Sequence, residues 1–180
     1  MNWTDIDGFW EDYDREEYAR LVSRIPDESV MVEVGVFRGR SLASIAPLLI
    51  QKKIDLVAID IFGSVDYNED LVTPKNPGML RDFVQNMKVF GLDPLVICGT
   101  SARAADFMFW KQPSLVFIDG DHSYEAVKAD IKTWIQVVKN GAILAGHDYG
   151  PHAPGVKQAV DELLVPWDLT VDHVIWSIRV

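Results

Sequence analysis

Residues 114–148 read SLVFIDGDHSYEAVKADIKTWIQVVKNGAILAGHD. The two ends of this stretch, 114–119 and 142–147, are short and almost continuously apolar, as expected of strands that are covered on both faces. Between them, residues 123–139 carry apolar side chains at helical spacing, and the Asn-Gly pair that follows can end a helix. A strand, a helix and a second strand in this order predict two parallel strands joined by a right-handed crossover.

The same alternation extends along most of the chain. Strand-like runs cover 29–36, 54–60 and 94–99, and weaker helical patterns cover 40–51, 78–90 and 155–164. Pro47 is expected to kink or shorten the first of these helices. Past the last helix, 168–173 and 174–180 predict an antiparallel hairpin. We therefore predict an α/β protein with a Rossmann-like, doubly wound sheet of seven strands, mostly parallel with an antiparallel last strand.

The composition fits one globular domain. The chain has 180 residues, of which 48% are hydrophobic and 24% charged, so it can bury a core of its own. Its net charge of −10 would repel nucleic acid. It has one cysteine, Cys98, no apolar run long enough to span a membrane and no signal-peptide pattern. We expect an acidic, cytoplasmic protein whose partner is neither nucleic acid nor a membrane.

Two segments fall outside the alternation. Residues 1–28 are predicted to form a helical N-terminal segment, and the domain itself is expected to span 29–180. Aromatic residues of the first segment, such as Phe9 and Trp10, are expected to pack on the sheet, to form a lid over the site or to make a subunit contact. Residues 61–77 form a long polar loop, a type of segment that is often functional.

The end of the first strand suggests a ligand site. In an open parallel sheet, ligands bind beyond the carboxyl ends of the strands, and Gly35 lets a ligand approach the backbone where a helix begins. A dinucleotide fingerprint would need glycines at positions 37 and 40, which are Phe and Arg, so a pyrophosphate fits poorly. Asp60 ends the second strand, 25 positions after Gly35, where an acid can bind both hydroxyls of a ribose.

The ends of the fourth and fifth strands carry the densest cluster of chemical groups. DGDH spans 119–122 and HDY spans 147–149. Neighbouring strands lie about 4.8 Å apart, so acids at these two ends would repel one another unless a cation or a proton lies between them. Oxygen ligands suit Mg²⁺, Mn²⁺ or Ca²⁺, and the histidines leave zinc or iron open. The alternative is that these acids only cap a helix or begin a turn.

Several stretches together resemble the class I S-adenosylmethionine-dependent methyltransferases. They are VEVGVFRGRS, AIDIFG, CGTSARAA, FIDGDHSYEAVKADIKTW and GAILAGHDYGPHAPGVKQAVDE, and they lie within residues 29–165. The likeness is strongest to the small O-methyltransferase-like branch in which DGDHSYE and HDY recur. The resemblance implies the same seven-stranded sheet and S-adenosylmethionine as the cofactor.

The resemblance also implies roles for individual residues. The cofactor would be bound by Glu33, Gly35, Gly39, Asp60, Thr100, Ser101 and Asp119. Of these, Asp60 would hold the ribose and Asp119 would lie near the sulfonium. A divalent cation such as Mg²⁺ would be held by Asp119, His147 and Asp148, although the family more often has an acid at position 147. In a metal-free enzyme, His122 or His147 would be the general base, with Asp119 beside it in the catalytic group.

The implied activity is methyl transfer to a hydroxyl of a small molecule. One alternative is a metal-dependent, hydroxylase-like or other reaction on the same fold. Another is a binding module that keeps the cofactor site without turnover. Because the chain carries no large insertion, its substrate pocket would be closed by the N-terminal segment and the 61–77 loop, or by a second subunit in a homo-oligomer.

Overall fold

A computed structural model describes residues 1–63 and 76–180 of the chain. The strands in this part are β1 Val30–Val34, β2 Asp55–Asp60, β3 Leu95–Cys98, β4 Leu115–Ile118, β5 Ile143–Gly146, β6 Thr170–Asp172 and β7 Ile175–Arg179. They form one sheet in the order β3-β2-β1-β4-β5-β7-β6. Strands β1 to β5 are parallel, and β7 runs antiparallel between β5 and β6. The predicted α/β fold, with its mostly parallel seven-stranded sheet and antiparallel last strand, is confirmed.

Helices cover both faces of the sheet. A 3₁₀ helix spans Trp3–Asp5, and the α-helices of the described part are α1 Asp12–Ser23, α2 Arg40–Ser44, α3 Ala46–Gln51, α4 Pro77–Val89, α5 Ser101–Met108, α6 Tyr124–Trp134 and α7 Pro154–Leu163. Successive strand residues join different core clusters: Met31 of β1 packs with α1 to α4, and Val32 packs with α5 to α7. Two covered faces explain why the strands are apolar almost throughout. Among the described residues, no helix combines the length and apolarity needed to cross a bilayer.

Some elements differ in detail from the sequence prediction. The helix predicted over 40–51 is two helices, which break at Ile45, and Pro47 lies in the first turn of α3, where its missing N–H costs little. The sequence pattern does not predict helix α5, because two alanines and Met108 form its buried face and give only a weak apolar signal. Helix α6 ends at Trp134, earlier than the predicted 139, and turns follow it. Of the loop predicted over 61–77, residues 64–75 lie outside the described residues.

The N-terminal segment packs on the same face of the sheet as α2 to α4. The rings of Trp10 and Tyr18 are buried and contact Phe117 of β4, with centroid distances of 5.9 and 4.3 Å. The indole N–H of Trp10 donates to the Ser44 hydroxyl at 3.1 Å. These two aromatic residues therefore belong to the core, whereas Phe9 is exposed.

At Gly146, β5 packs closely against β4 and β7, and a substitution at this position tests this packing. A methyl group at this position would lie 2.6 Å from the Ile118 carbonyl oxygen and 2.6 Å from the Trp176 ring. We expect Gly146→Ala to lower the free energy of unfolding by about 1–3 kcal/mol, as overpacking does, when measured by urea denaturation. The matched control is Gly99→Ala beyond the end of β3, where the methyl meets nothing within 4 Å among the described residues. Equal stability losses in the two variants would contradict this packing.

Candidate active site

Two adjoining cavities lie at the carboxyl ends of the central strands. Cavity I has a volume of about 570 Å³ and cavity II a volume of about 460 Å³. Gly35, Phe37 and Asp119 line both cavities. This is the point where the strand order reverses, because the chain continues from β1 to β2 on one side and from β4 to β5 on the other. Molecules bound in the two cavities would therefore meet along a shared wall.

Gly35, the first residue after β1, makes this arrangement sterically feasible. Its φ is 89°, in the left-handed region that favours glycine, and its N–H donates to the Ile59 carbonyl at 2.8 Å. A Cβ atom at this position would lie 2.0 Å from the carbonyl oxygen of Asp119. The ends of β1 and β4 thus approach so closely that a side chain at position 35 does not fit.

Asp60 lines cavity I, where backbone donors hold its carboxylate. One oxygen accepts the N–H of Phe37 at 2.8 Å, and the other accepts the N–H of Phe62 at 2.6 Å. Burial raises the pKa of Asp60, and these backbone donors oppose the rise. The carboxylate thus ties the turn after β1 to the end of β2.

The far side of cavity I is formed by α5 and α6. Thr100 and Ser101 line it at the start of α5, and Asp130 lines it from α6. The Trp134 indole N–H donates to the Ser101 hydroxyl at 2.8 Å. Burial raises the pKa of Asp130 to about 6, although a hydrogen bond with Ser101 opposes the rise. Asp130 is not among the residues predicted from the sequence; its signal is an acid on the helix face that also carries Val127 and Trp134.

Glu33 and Gly39 do not line either cavity. Glu33 is fully buried and accepts hydrogen bonds from the hydroxyls of Tyr18 and Ser41, the latter at 2.5 Å. Gly39, with φ of 83°, precedes α2 and packs against Met87. Their contact with a cofactor stays a prediction. The other cofactor residues predicted from the sequence, Gly35, Asp60, Thr100, Ser101 and Asp119, all line cavity I.

Asp148 lines cavity II and lies close to its other polar side chains. Its φ is 62°, and three imidazoles surround its carboxylate. One oxygen lies 3.0 Å from Nε2 of His122 and 3.2 Å from Nδ1 of His147, and the other lies 3.0 Å from Nε2 of His152. Burial alone would raise the pKa of Asp148, but the neighbouring imidazoles outweigh it and lower the pKa to about 2.

Asp119 lies at the wall between the two cavities. Its carboxylate is 3.8 Å from Nδ1 of His147 and 4.0 Å from Nε2 of His122. Burial raises the pKa of Asp119 to about 6; His147 and His122 oppose the rise, and Asp148 adds to it. At neutral pH, Asp119 is therefore much easier to protonate than Asp148.

His147 is buried, and both of its ring nitrogens face carboxylates. Nε2 lies 3.1 Å from Asp14 of α1, and Nδ1 faces Asp148. Burial alone would lower the pKa of His147, but Asp14, Asp148 and Asp119 outweigh it and raise the pKa to about 10. An imidazolium at neutral pH has no lone pair for a metal ion or for a proton. The roles predicted for His147, as a metal ligand or as the general base, stay predictions.

The described residues contain one group of side chains with the spacing of a metal site. It consists of Asp119, His122 and Asp148, whose ligand atoms all lie within 4.8 Å of one another. The three ligands predicted from the sequence, Asp119, His147 and Asp148, also lie together, with Nδ1 of His147 3.8 Å from Asp119 and 3.2 Å from Asp148, and their binding of a metal ion stays a prediction. The spacing of DGDH and HDY identified the two strand ends, but it did not distinguish between the two histidines.

The N-terminal segment forms the outer wall of cavity II. Gly8, Phe9 and Trp10 line it, and the Trp10 ring lies 5.0 Å from that of His147. Nη1 of Arg40 donates to the carbonyls of Ile6 and Gly8 at 3.2 and 3.0 Å and thereby holds the segment in place. The segment thus packs on the sheet and also borders the site, two arrangements that the sequence left as alternatives.

Comparisons with known proteins agree with this fold. The sequence model of a family described as "Methyltransferase domain" matches residues 32–149. An uncharacterized protein, R132 of Acanthamoeba polyphaga mimivirus, is 30% identical over 147 residues, which are 77% of this chain and 60% of that protein. The chain therefore spans about three-fifths of the length of this relative.

Two solved structures share the fold at low sequence identity. The TDP-rhamnose 3'-O-methyltransferase CalS11, an enzyme in calicheamicin biosynthesis, is 19% identical, with a TM-score of 0.65 over 92% of this chain and 76% of that chain. The cofactor-bound protein Rv0187 from MTB is 16% identical, with a TM-score of 0.70 over 96% of this chain and 81% of that chain.

The buried carboxyl group of Glu33 predicts a pH dependence of stability. Burial raises its pKa from 4.5 to about 8, although Ser41 and Tyr18 oppose the rise by donating hydrogen bonds. Between these two pH values the folded state keeps a proton that the unfolded state loses, so this group makes the protein less stable as the pH rises. Glu33→Gln should remove part of this decline, on the order of a few kcal/mol between pH 5 and pH 8.

Chemical denaturation at a series of pH values measures this effect. Glu16→Gln, an exposed position on α1, is the control and should leave the pH profile unchanged. A Glu33→Gln profile parallel to that of the wild type would show that Glu33 is already ionised in the folded protein.

Proposed function

Because the chain belongs to the methyltransferase-domain family, a group of class I, S-adenosylmethionine-dependent proteins, we propose that it transfers a methyl group from this cofactor to a hydroxyl of a small molecule. The observation that carries the proposal is the wall that cavities I and II share at Gly35, Phe37 and Asp119. Methyl transfer needs a donor and an acceptor that are held in line and close together, and two cavities with a common wall suit this requirement.

Cavity I suits the cofactor. Its volume of about 570 Å³ falls in the range of small-molecule pockets, and glycine at position 35 exposes backbone to it. Asp60, Thr100, Ser101 and Asp130 offer polar groups for a nucleoside, and Asp119 would lie towards the sulfonium. When bound, S-adenosylmethionine supplies the activated methyl group. The acids of this cavity favour a cationic ligand over the neutral thioether that remains after transfer.

Cavity II suits a small acceptor. Phe9, Trp10 and Phe37 give it an aromatic side, and the carboxylates and imidazoles give it a polar end. CalS11, which shares the fold, methylates a hydroxyl of TDP-rhamnose, and this supports a hydroxyl acceptor of small size. The net charge of −10 argues against a nucleic acid substrate.

The acceptor hydroxyl must lose a proton as it attacks the methyl carbon, and the site offers two ways to achieve this. A divalent cation held by Asp119, His122 and Asp148 would lower the pKa of the hydroxyl, and the mixed oxygen and nitrogen donors fit Mn²⁺ or Zn²⁺ as well as Mg²⁺. Without a cation, His122 is the candidate base. Its Nε2 is directed at Asp148, so Nδ1 would accept the proton.

A second candidate function is a metal-dependent, hydroxylase-like reaction on the same fold. The acid–histidine–acid group of cavity II favours it, since such sets bind redox-active metals. A binding module without turnover would show cofactor binding and neither reaction. Assays for methyl transfer and for oxidation, run with purified protein and defined metals, separate the three functions.

Asp60 tests the assignment of cavity I. We expect Asp60→Asn to weaken the binding of S-adenosylhomocysteine about tenfold, because one carboxylate oxygen that could accept a ribose hydroxyl becomes an amide donor. Isothermal titration calorimetry measures the affinity. Asp55→Asn, at the exposed start of the same strand, is the matched control and should bind like the wild type. Absence of binding to the wild type would reject the proposed function altogether.

Asp148 tests the assignment of cavity II. Asp148→Ala should abolish methyl transfer to catechol-like and sugar acceptors and change cofactor affinity by less than about twofold, since Asp148 does not line cavity I. Rates are measured with EDTA, Mg²⁺, Mn²⁺ or Zn²⁺ added. His173→Ala, in the exposed turn before β7, is the control. Full activity of Asp148→Ala would remove cavity II from the mechanism.

A further inference from the structure

Asp14 of helix α1 contacts His147, one of the side chains at the polar end of cavity II. Only 2% of this residue is exposed, and it lines neither cavity. Its Oδ2 accepts the backbone N–H of Glu11 at 2.9 Å and so fixes the carboxylate to the first turn of α1. Its Oδ1 lies 3.1 Å from Nε2 of His147. Among the described residues, neither of these two buried atoms has a hydrogen-bond partner with good geometry, so the polar group that each one faces is the other, at ion-pair distance.

His147 carries the connection onward to the site. Its other nitrogen, Nδ1, lies 3.2 Å from the Asp148 oxygen that also contacts His122. The Trp10 ring lies 5.0 Å from the imidazole, at 36° to its plane, and so restricts its rotation. Asp14, His147 and Asp148 thus form a continuous line of contacts from α1 to the centre of cavity II.

Stability alone is a weak reason for such a buried charged contact. Apolar residues of similar volume are often at least as stabilising as a buried ion pair, because taking charges out of water is costly. Polar groups that hold a reacting side chain in one orientation are a better reason, since small misplacements in an active site reduce rates strongly. Asp14 also lies outside residues 32–149, the part of the chain that the methyltransferase-domain family covers.

We propose that Asp14 is a positioning residue for the active site: it fixes the ring of His147 so that Nδ1–H holds the Asp148 carboxylate towards His122 and the acceptor. As far as it concerns catalysis, the inference rests on the proposed methyl transfer. In this role, Asp14 makes helix α1 part of the active site as well as part of the core.

Asp14→Asn tests this inference, because asparagine keeps the shape of the side chain and removes the charge. The matched control is Asp12→Asn on the same helix, where the side chain is 80% exposed. We expect Asp14→Asn to lower kcat by about tenfold to a hundredfold and to leave cofactor affinity within about twofold, whereas Asp12→Asn changes neither. A kcat equal to that of Asp12→Asn would overturn the proposal.

A double-mutant cycle separates positioning from a structural role. If Asp14 acts through His147, the double variant Asp14→Asn/His147→Gln should be no slower than His147→Gln alone. Additive losses of kcat would show that Asp14 does not act through His147 and would overturn the assignment.

An NMR experiment decides the geometry without any assay of activity. With histidine ¹⁵N-labelled and no ligand added, wild-type His147 should show protected N–H protons on both ring nitrogens, and Asp14→Asn should lose protection at Nε2. Unchanged signals in Asp14→Asn would overturn the proposal. If these signals behave as expected while the wild type transfers no methyl group to any acceptor, the proposed function fails and the fixed orientation of His147 stands.

Discussion

The turn after β1 passes the end of β4 so closely that residue 35 cannot carry a side chain, and the rest of the site depends on this contact. It places Asp119 beside the exposed backbone of Gly35, and it leaves an opening on each side of the two strand ends. Asp60 secures the same turn from β2 through the N–H of Phe37. The division of the site into two cavities is therefore a property of the backbone, and the side chains give each cavity its chemistry.

The acids around this contact fall into two groups whose pKa values are shifted in opposite directions. Glu33, Asp119 and Asp130 have raised pKa values because burial disfavours their ionised forms. Asp148 has a lowered pKa because imidazoles surround it. As the pH falls below neutral, Asp119 therefore takes up a proton before Asp148 does. The net charge of the chain gives no indication of this division.

The sequence was sufficient for the sheet because strands buried on both faces are apolar throughout, and the order of strands and helices restricts the topology. It also predicted that the DGDH and HDY motifs lie at neighbouring strand ends, where the structure places Asp119 and Asp148 close together. It could not reveal Asp14, whose contact with His147 depends on how α1 lies against the sheet. For the same reason it could not show that His147 is buried between carboxylates whereas the side chain of His122 is half-exposed.

Part of the wall of cavity II comes from a segment that precedes the sheet in the chain, whereas the described residues that line cavity I all lie between positions 34 and 130. The two halves of the site can therefore diverge independently. Changes at positions 8 and 9 alter the shape offered to an acceptor and leave the strand ends untouched. Sequence variation near the N-terminus therefore reshapes cavity II without altering the strand ends that form cavity I.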